Sequence, residues 1–142
     1  MDNQTIRRVL LDESCSCVVR KGDTIRIFRQ PGVRDLLTLL HAEPEFTAGA
    51  SIADKVVGKG AAALMVLCGF SEVWAEVLSV PARELLEQAG VKVGCRTEVP
   101  NIINRAGDGI CPVEQLCAGC RTAAECLPRI EEFAARMMQR QA

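Results

Sequence analysis

Four cysteines, Cys111, Cys117, Cys120 and Cys126, fall in one short segment as C-x5-C-x2-C-x5-C. Thiolates repel one another, so crowding four of them points to a cation that neutralises them. Cys117-Ala118-Gly119-Cys120 supplies a turn on which two sulfurs can face one centre, and Gly119 lets the backbone bend there. Cys111 and Cys126 would close a tetrahedron from either side. Structural zinc sites are commonly built from two close cysteine pairs separated by a longer insert, whereas this segment has one central pair flanked by single cysteines. Cubane clusters accept such spacing, and Cys111-Pro112 resembles the cysteine-proline step of ferredoxins. The expected cofactor is therefore a 4Fe-4S iron-sulfur cluster, with zinc as the alternative. The bland reading is a set of loop and helix thiols that share nothing. Cys15, Cys17, Cys68 and Cys95 read instead as small core residues, the first two directed to one face of a strand.

A second constellation is a fragment of the zinc deaminase signature, in which H-x-E pairs with P-C-x-x-C and the glutamate shuttles protons. His41-Ala42-Glu43 matches the first half, and Cys117 to Cys120 matches the second without its proline. His41 falls at the end of an expected helix rather than its start. It reads as a C-terminal residue that favours the negative end of the helix dipole.

The elements that must position these groups follow from periodicity. Ile6, Val9 and Leu10 recur at helical spacing, giving an opening helix to about Leu11. Alternation around Val19 and Ile25, with Lys21-Gly22-Asp23 between, predicts a β-hairpin ended by Pro31-Gly32. Val33 through His41 reads as a second helix, followed by a loop containing Pro44. Ser51 to Cys68 carries a strongly apolar helix interior at Ala61 to Met65, and Lys55 to Cys68 is taken as that helix. Glu72 to Leu78 then reads as a buried strand, Pro81 to Gln88 as a helix, and Val91 to Val99 as a strand. A last helix is expected from about Leu127, because Pro128 is tolerated only in a first turn. Strands alternating with helices imply a partly parallel sheet in an α/β, three-layer helix-sheet-helix sandwich. Residues 1-110 would form the α/β body, and 111-142 the cysteine-rich segment and final helix packed on the same domain.

With 142 residues, 49% of them hydrophobic, the chain can build its core without a metal. Seventeen basic against 18 acidic residues argue against nucleic acid as the main partner. The polar N-terminus lacks a signal-peptide pattern and no run is long enough to span a membrane, so a cytoplasmic location without membrane association is expected. In that compartment cysteines favour metal or thiol chemistry over disulfides. A homo-oligomer is left open.

Ala53-Asp54-Lys55-Val56-Val57-Gly58-Lys59-Gly60-Ala61-Ala62-Ala63, Asn101-Ile102-Ile103-Asn104-Arg105 and Gly109-Ile110-Cys111-Pro112-Val113-Glu114 resemble the prokaryotic family catalogued as domain of unknown function 1893. The similarity runs from the first hairpin through Glu114. It implies a cytidine-deaminase-like fold. The helix that would carry H-x-E is then the one containing Lys59, and the helix that would open with P-C-x-x-C follows Leu78, where the chain reads Ser79-Val80-Pro81-Ala82-Arg83. Neither offers a zinc ligand set, so zinc-dependent deamination is not expected. Gly60 departs from an expected alanine and would loosen the helix start.

In the inherited pocket, Asp54, Lys55 and Lys59 at a helix N-terminus, with Ser79, Asn104 and Arg105, are candidates for holding a small anionic or nucleotide-like ligand. Asp108, Cys111 and Glu114 share the loop that would close over it. The leading expectation is a ligand-binding protein with a sensory or redox metal centre. The alternative is an enzyme with Lys59 or Cys111 as nucleophile and Glu114 or Asp54 as proton carrier. A zinc stabiliser of a partner-binding domain is a third.

Overall fold

A computed structural model describes residues 3–30, 33–104 and 106–141, with side chains through Gln139. Helix α1 (Gln4–Asp12) leads into the hairpin of β1 (Cys17–Lys21) and β2 (Thr24–Phe28). Gly22 takes a φ of 58° in the turn, the left-handed conformation glycine adopts without cost. Helix α2 (Arg34–Ala42) follows, and the segment expected as a loop holds the short α3 (Pro44–Thr47). Pro31 and Gly32 lie outside the described residues.

Three strands joined by two helices then build the parallel half of the sheet: β3 (Ser51–Val57), α4 (Lys59–Cys68), β4 (Glu72–Ser79), α5 (Val80–Gln88) and β5 (Lys92–Val99). The five strands are ordered β2-β1-β3-β4-β5, with β1 antiparallel to both neighbours and β3, β4 and β5 parallel. This is a mixed α/β architecture with helices flanking the sheet. Residues 51–57 form a strand, so the helix expected over 55–68 begins only at Lys59. Ser51 to Asp54 are all buried, which hides the alternation of a half-exposed strand, and Gly58 separates strand from helix.

The main core lies between the sheet and helices α2, α4, α5 and α7, around Ile52, Ala62, Leu64, Met65, Leu78 and Ile130. The three alanines of α4 let it sit close to the strands. A second core packs α1 on the other face of the sheet through Ile6, Leu10, Val18 and Ala53. Cys15 belongs to this second core, whereas Cys17 faces the first, so the two cysteines do not share a face. The reason is that Cys15 precedes β1 instead of lying in it. Cys68 is also buried and Cys95 half-buried, in keeping with small core residues.

After β5 come α6 (Pro112–Cys117) and α7 (Ala123–Gln141). Helix α7 starts about a turn before the expected Leu127 and carries Pro128 inside it. Its start is fixed by reciprocal capping: Thr122 Oγ1 accepts from the Glu125 amide at 3.2 Å, and Glu125 Oε2 accepts from the Arg121 amide at 2.6 Å. Cys126 therefore projects from a helix, not from a loop. Cys117, Cys126 and Ile130 join the same core as the strands, so the C-terminal segment and the α/β body share one interior. Among the described residues no helix is long and apolar enough to cross a membrane.

Candidate functional site

Helices α4 and α5 leave the adjacent parallel strands β3 and β4, which sets their N-termini side by side at one edge of the sheet. The backbone amides that open a helix lack partners within it and carry partial positive charge. Here the chain supplies its own anion. Glu114, on α6, is 2% exposed, and its Oε1 accepts from the Lys59 amide at 2.8 Å and from the Ser79 hydroxyl at 2.6 Å. Its Oε2 accepts from the Ile102 amide. Ser79 also caps α5, its Oγ accepting from the Ala82 amide at 3.3 Å. One carboxylate thus ties together the starts of both helices and the loop after β5.

Two glycines make the docking possible. A Cβ on Gly58 would stand 3.1 Å from Glu114 Oε1 and from Ile102 Cγ1. On Gly60 it would come within 2.3 Å of Val113 Cγ1, a separation that real side chains do not adopt. Gly60 is therefore what admits α6, rather than a weak point in α4.

Lys59 grips the other end of α6. Its ammonium donates to the Cys120 carbonyl at 2.6 Å and to the Ala118 carbonyl at 3.3 Å, while Arg129 donates to the Leu116 carbonyl at 3.0 Å. Two cations thereby sit at the turn that bears the thiols. Cys117 and Cys126 are fully buried and Cys120 is 6% exposed.

The three thiols lie close enough to perturb one another's ionisation. Cys126 beside it holds the Cys117 thiol below its ordinary range despite burial, and Lys59 and Arg129 reinforce the shift. Cys126 is pushed up, first by Cys117 and then by burial. Cys120 is raised by burial and by Cys126. Cys117 is thus the most acidic sulfur of the three.

Cys111, the fourth member of the expected set, is placed differently. It precedes α6, is half-buried, donates its amide to the Ile102 carbonyl at 2.8 Å and accepts from the Gln115 amide at 3.0 Å. It is not among the groups that perturb the other three thiols. Among the described residues no group of three or more histidine, cysteine, aspartate or glutamate side chains stands in a metal-holding arrangement.

The other anticipated residues are dispersed. Asp54 is buried on the main-core face, where its carboxylate accepts from the Val56 amide at 3.3 Å. Burial lifts its pKa to about 7 against the pull of the Val56 and Lys55 amides. Lys55 is exposed, at the strand edge where its amide meets the Ser16 carbonyl. Asn104 and Asp108 bond each other at 2.9 Å within an exposed loop, and Arg105 lies outside the described residues. Ser79, Lys59 and Glu114 are therefore the expected site residues that the fold brings together. The His41 fragment does not join them: it closes α2 and pairs with Glu131 of α7 at 3.2 Å.

What the residues alone did not reveal is the partnership between Lys59, Ser79 and Glu114, or the role of Arg129. These contacts span 35 and 55 positions in sequence for Glu114 alone. The one legible signal was glycine at positions 58 and 60, flanking Lys59 where a helix begins.

No curated protein matches the chain. Among solved structures, it resembles a DUF1893 family protein, TM1506 from Thermotoga maritima, whose crystal structure was determined at 2.70 Å resolution. The two are 21% identical over 94% of this chain and 92% of that one, with a TM-score of 0.82, which establishes a shared fold. The family model described as TM1506, domain of unknown function (DUF1893), matches residues 5–134, and the chain belongs to that family.

Proposed function

We propose that the chain is a small sensory protein in which Cys117, Cys120 and Cys126 hold a thiophilic metal centre, an iron-sulfur cluster or zinc, and report its state through α6. The observation that carries this reading is the burial of three neighbouring thiols at a turn that Lys59 and Arg129 also hold. Cys117 is the thiol that would ionise first, and a bound metal would supply the further positive charge that Cys120 and Cys126 need in order to lose their protons. Three protein sulfurs leave one coordination position for Cys111 after a loop movement, or for an external ligand.

The route of transmission is short. Cys117 and Glu114 lie three residues apart on α6, and Lys59 touches both ends of that helix. A change at the thiols that moves α6 also loosens Glu114 from the paired helix starts. A small anionic or nucleotide-like ligand would then compete with Glu114 for the amides of Lys59 and Ile102 and the Ser79 hydroxyl. The adjacent helix N-termini are the feature that favours a cytidine-deaminase-like reading of this end of the parallel strands.

Thiol accessibility tests the reading. In unfolded, reduced protein all eight cysteines react with a chromogenic disulfide reagent. In urea below the unfolding midpoint, where buried thiols are transiently exposed, protein loaded with zinc or reconstituted anaerobically with iron and sulfide should lose the reactivity that Cys117, Cys120 and Cys126 show without metal, as mapped by mass spectrometry. Equal labelling of these three with and without metal would refute it.

A further inference from the structure

The face of the sheet that carries α1 holds a second feature, remote from the thiols. Helix α1 packs on β1 and β3, and its flank together with β4 and β5 bounds a cleft of about 480 Å³. The floor is Trp74 of β4, which lies opposite Gly94 of β5. A Cβ at position 94 would stand 3.2 Å from Trp74 Cε3, so glycine is what lets the indole lie across the neighbouring strand. The Arg7 guanidinium sits 3.5 Å from the ring centroid, held there by the ring's quadrupole.

Two observations set this cleft apart from ordinary surface. First, Trp74 Nε1 is buried and no acceptor among the described residues reaches it. A buried indole donor almost always finds a partner, and leaving one unmade costs on the order of 1–3 kcal/mol. Second, the charge among the described lining residues is one-sided: Arg7, Arg20 and Lys92 face Glu72. Glu72 is itself engaged by Asn3 and stands 3.9 Å from Lys92, so it neutralises only part of this charge. The chain as a whole has a net charge of −1, which makes the local excess a feature of this face.

We infer that this cleft binds a small aromatic anion of nucleoside-monophosphate type, its planar group against Trp74 and its anionic group between Arg20 and Lys92. The volume suits a small molecule, since pockets for such ligands run from about 300 to 1,000 Å³. Arg20 is already oriented, its guanidinium donating to Asn3 Oδ1 at 2.8 Å and to the Gly22 carbonyl at 2.9 Å. Arg7 occupies the stacking position over the ring and serves as a cover that a planar ligand would displace. Nothing in this site depends on the thiols or on Glu114.

The chain has one tryptophan and no tyrosine, so its intrinsic fluorescence reports on this cleft alone. Titrating the full chain with AMP should quench that emission saturably. Adenosine should bind roughly tenfold more weakly for want of the charge, and inorganic phosphate should compete. Lys92→Ala should weaken AMP by about threefold to tenfold; the Lys92 side chain is 81% exposed, so the variant leaves the fold intact. Arg20→Ala should weaken it at least as much. Quenching that never saturates, or an affinity unchanged in Lys92→Ala, would overturn the proposal. So would affinity for oligothymidylate that rises with strand length, which would mark a nucleic-acid surface instead.

Discussion

Two buried carboxyl groups show how differently one side chain type can be used. Glu114 accepts three hydrogen bonds from groups that would otherwise be buried and unpaired. Its removal leaves those donors without partners, so Glu114→Ala should cost about 2–5 kcal/mol of stability in urea unfolding. Ser79→Ala, which spares the two amide contacts, should cost about 1–2 kcal/mol. Asp54 is the opposite case, since burial holds its pKa near 7 and disfavours the ionised form in the native state. The Cys17 thiol beside it is pushed up by burial and by Asp54 itself, and Asp35 adds negative charge nearby. Because the folded pKa exceeds the unfolded one, the stability contribution of neutral Asp54 is fully present below about pH 4 and is lost as pH rises through about 7. Wild-type urea midpoints should therefore fall between those limits, and Asp54→Asn should flatten that slope. A variant with the wild-type pH dependence would show that another group is responsible. None of this was readable from residue order, because both environments are made by tertiary burial.

At the scale of elements, α6 is held as a plug on the start of α4. Gly60→Ala would raise the intrinsic helix propensity of α4 by about 1 kcal/mol. The structure predicts the reverse outcome: the new Cβ meets Val113, so the variant should lose about 1–3 kcal/mol. Adding Val113→Ala should recover most of that loss, giving a coupling energy of about 1 kcal/mol or more in the double-mutant cycle. Strict additivity of the two substitutions would refute the docking contact. The elements themselves were largely legible. The hairpin, α2, the interior of α4, β4, α5 and β5 all follow from periodicity and turn residues. Strand β3 was not, because burial on both faces removes the alternation and its end abuts an apolar helix. The start of α7 was legible in Thr122-Ala123-Ala124-Glu125, yet Pro128 pointed to a later start.

For the whole molecule, the cysteine-rich segment was legible in the sequence, whereas its arrangement in space was not. Cys117, Cys120 and Cys126 meet because α6 and α7 pack together on α4, whereas Cys111 stays at the head of α6. The spacing of the four gave no means of telling the outlying member apart. The same packing puts Lys59 between the thiols and Glu114, which joins the two halves of the proposed sensor.

The proposed sensor requires that these three sulfurs hold a metal. Iron, sulfide and zinc quantified per chain after anaerobic purification, for wild type, Cys126→Ser and Cys111→Ser, test it most directly. One bound centre is expected in the wild type, with its loss in Cys126→Ser and substantial retention in Cys111→Ser. A wild-type protein free of all three, or Cys126→Ser with undiminished metal, would contradict it.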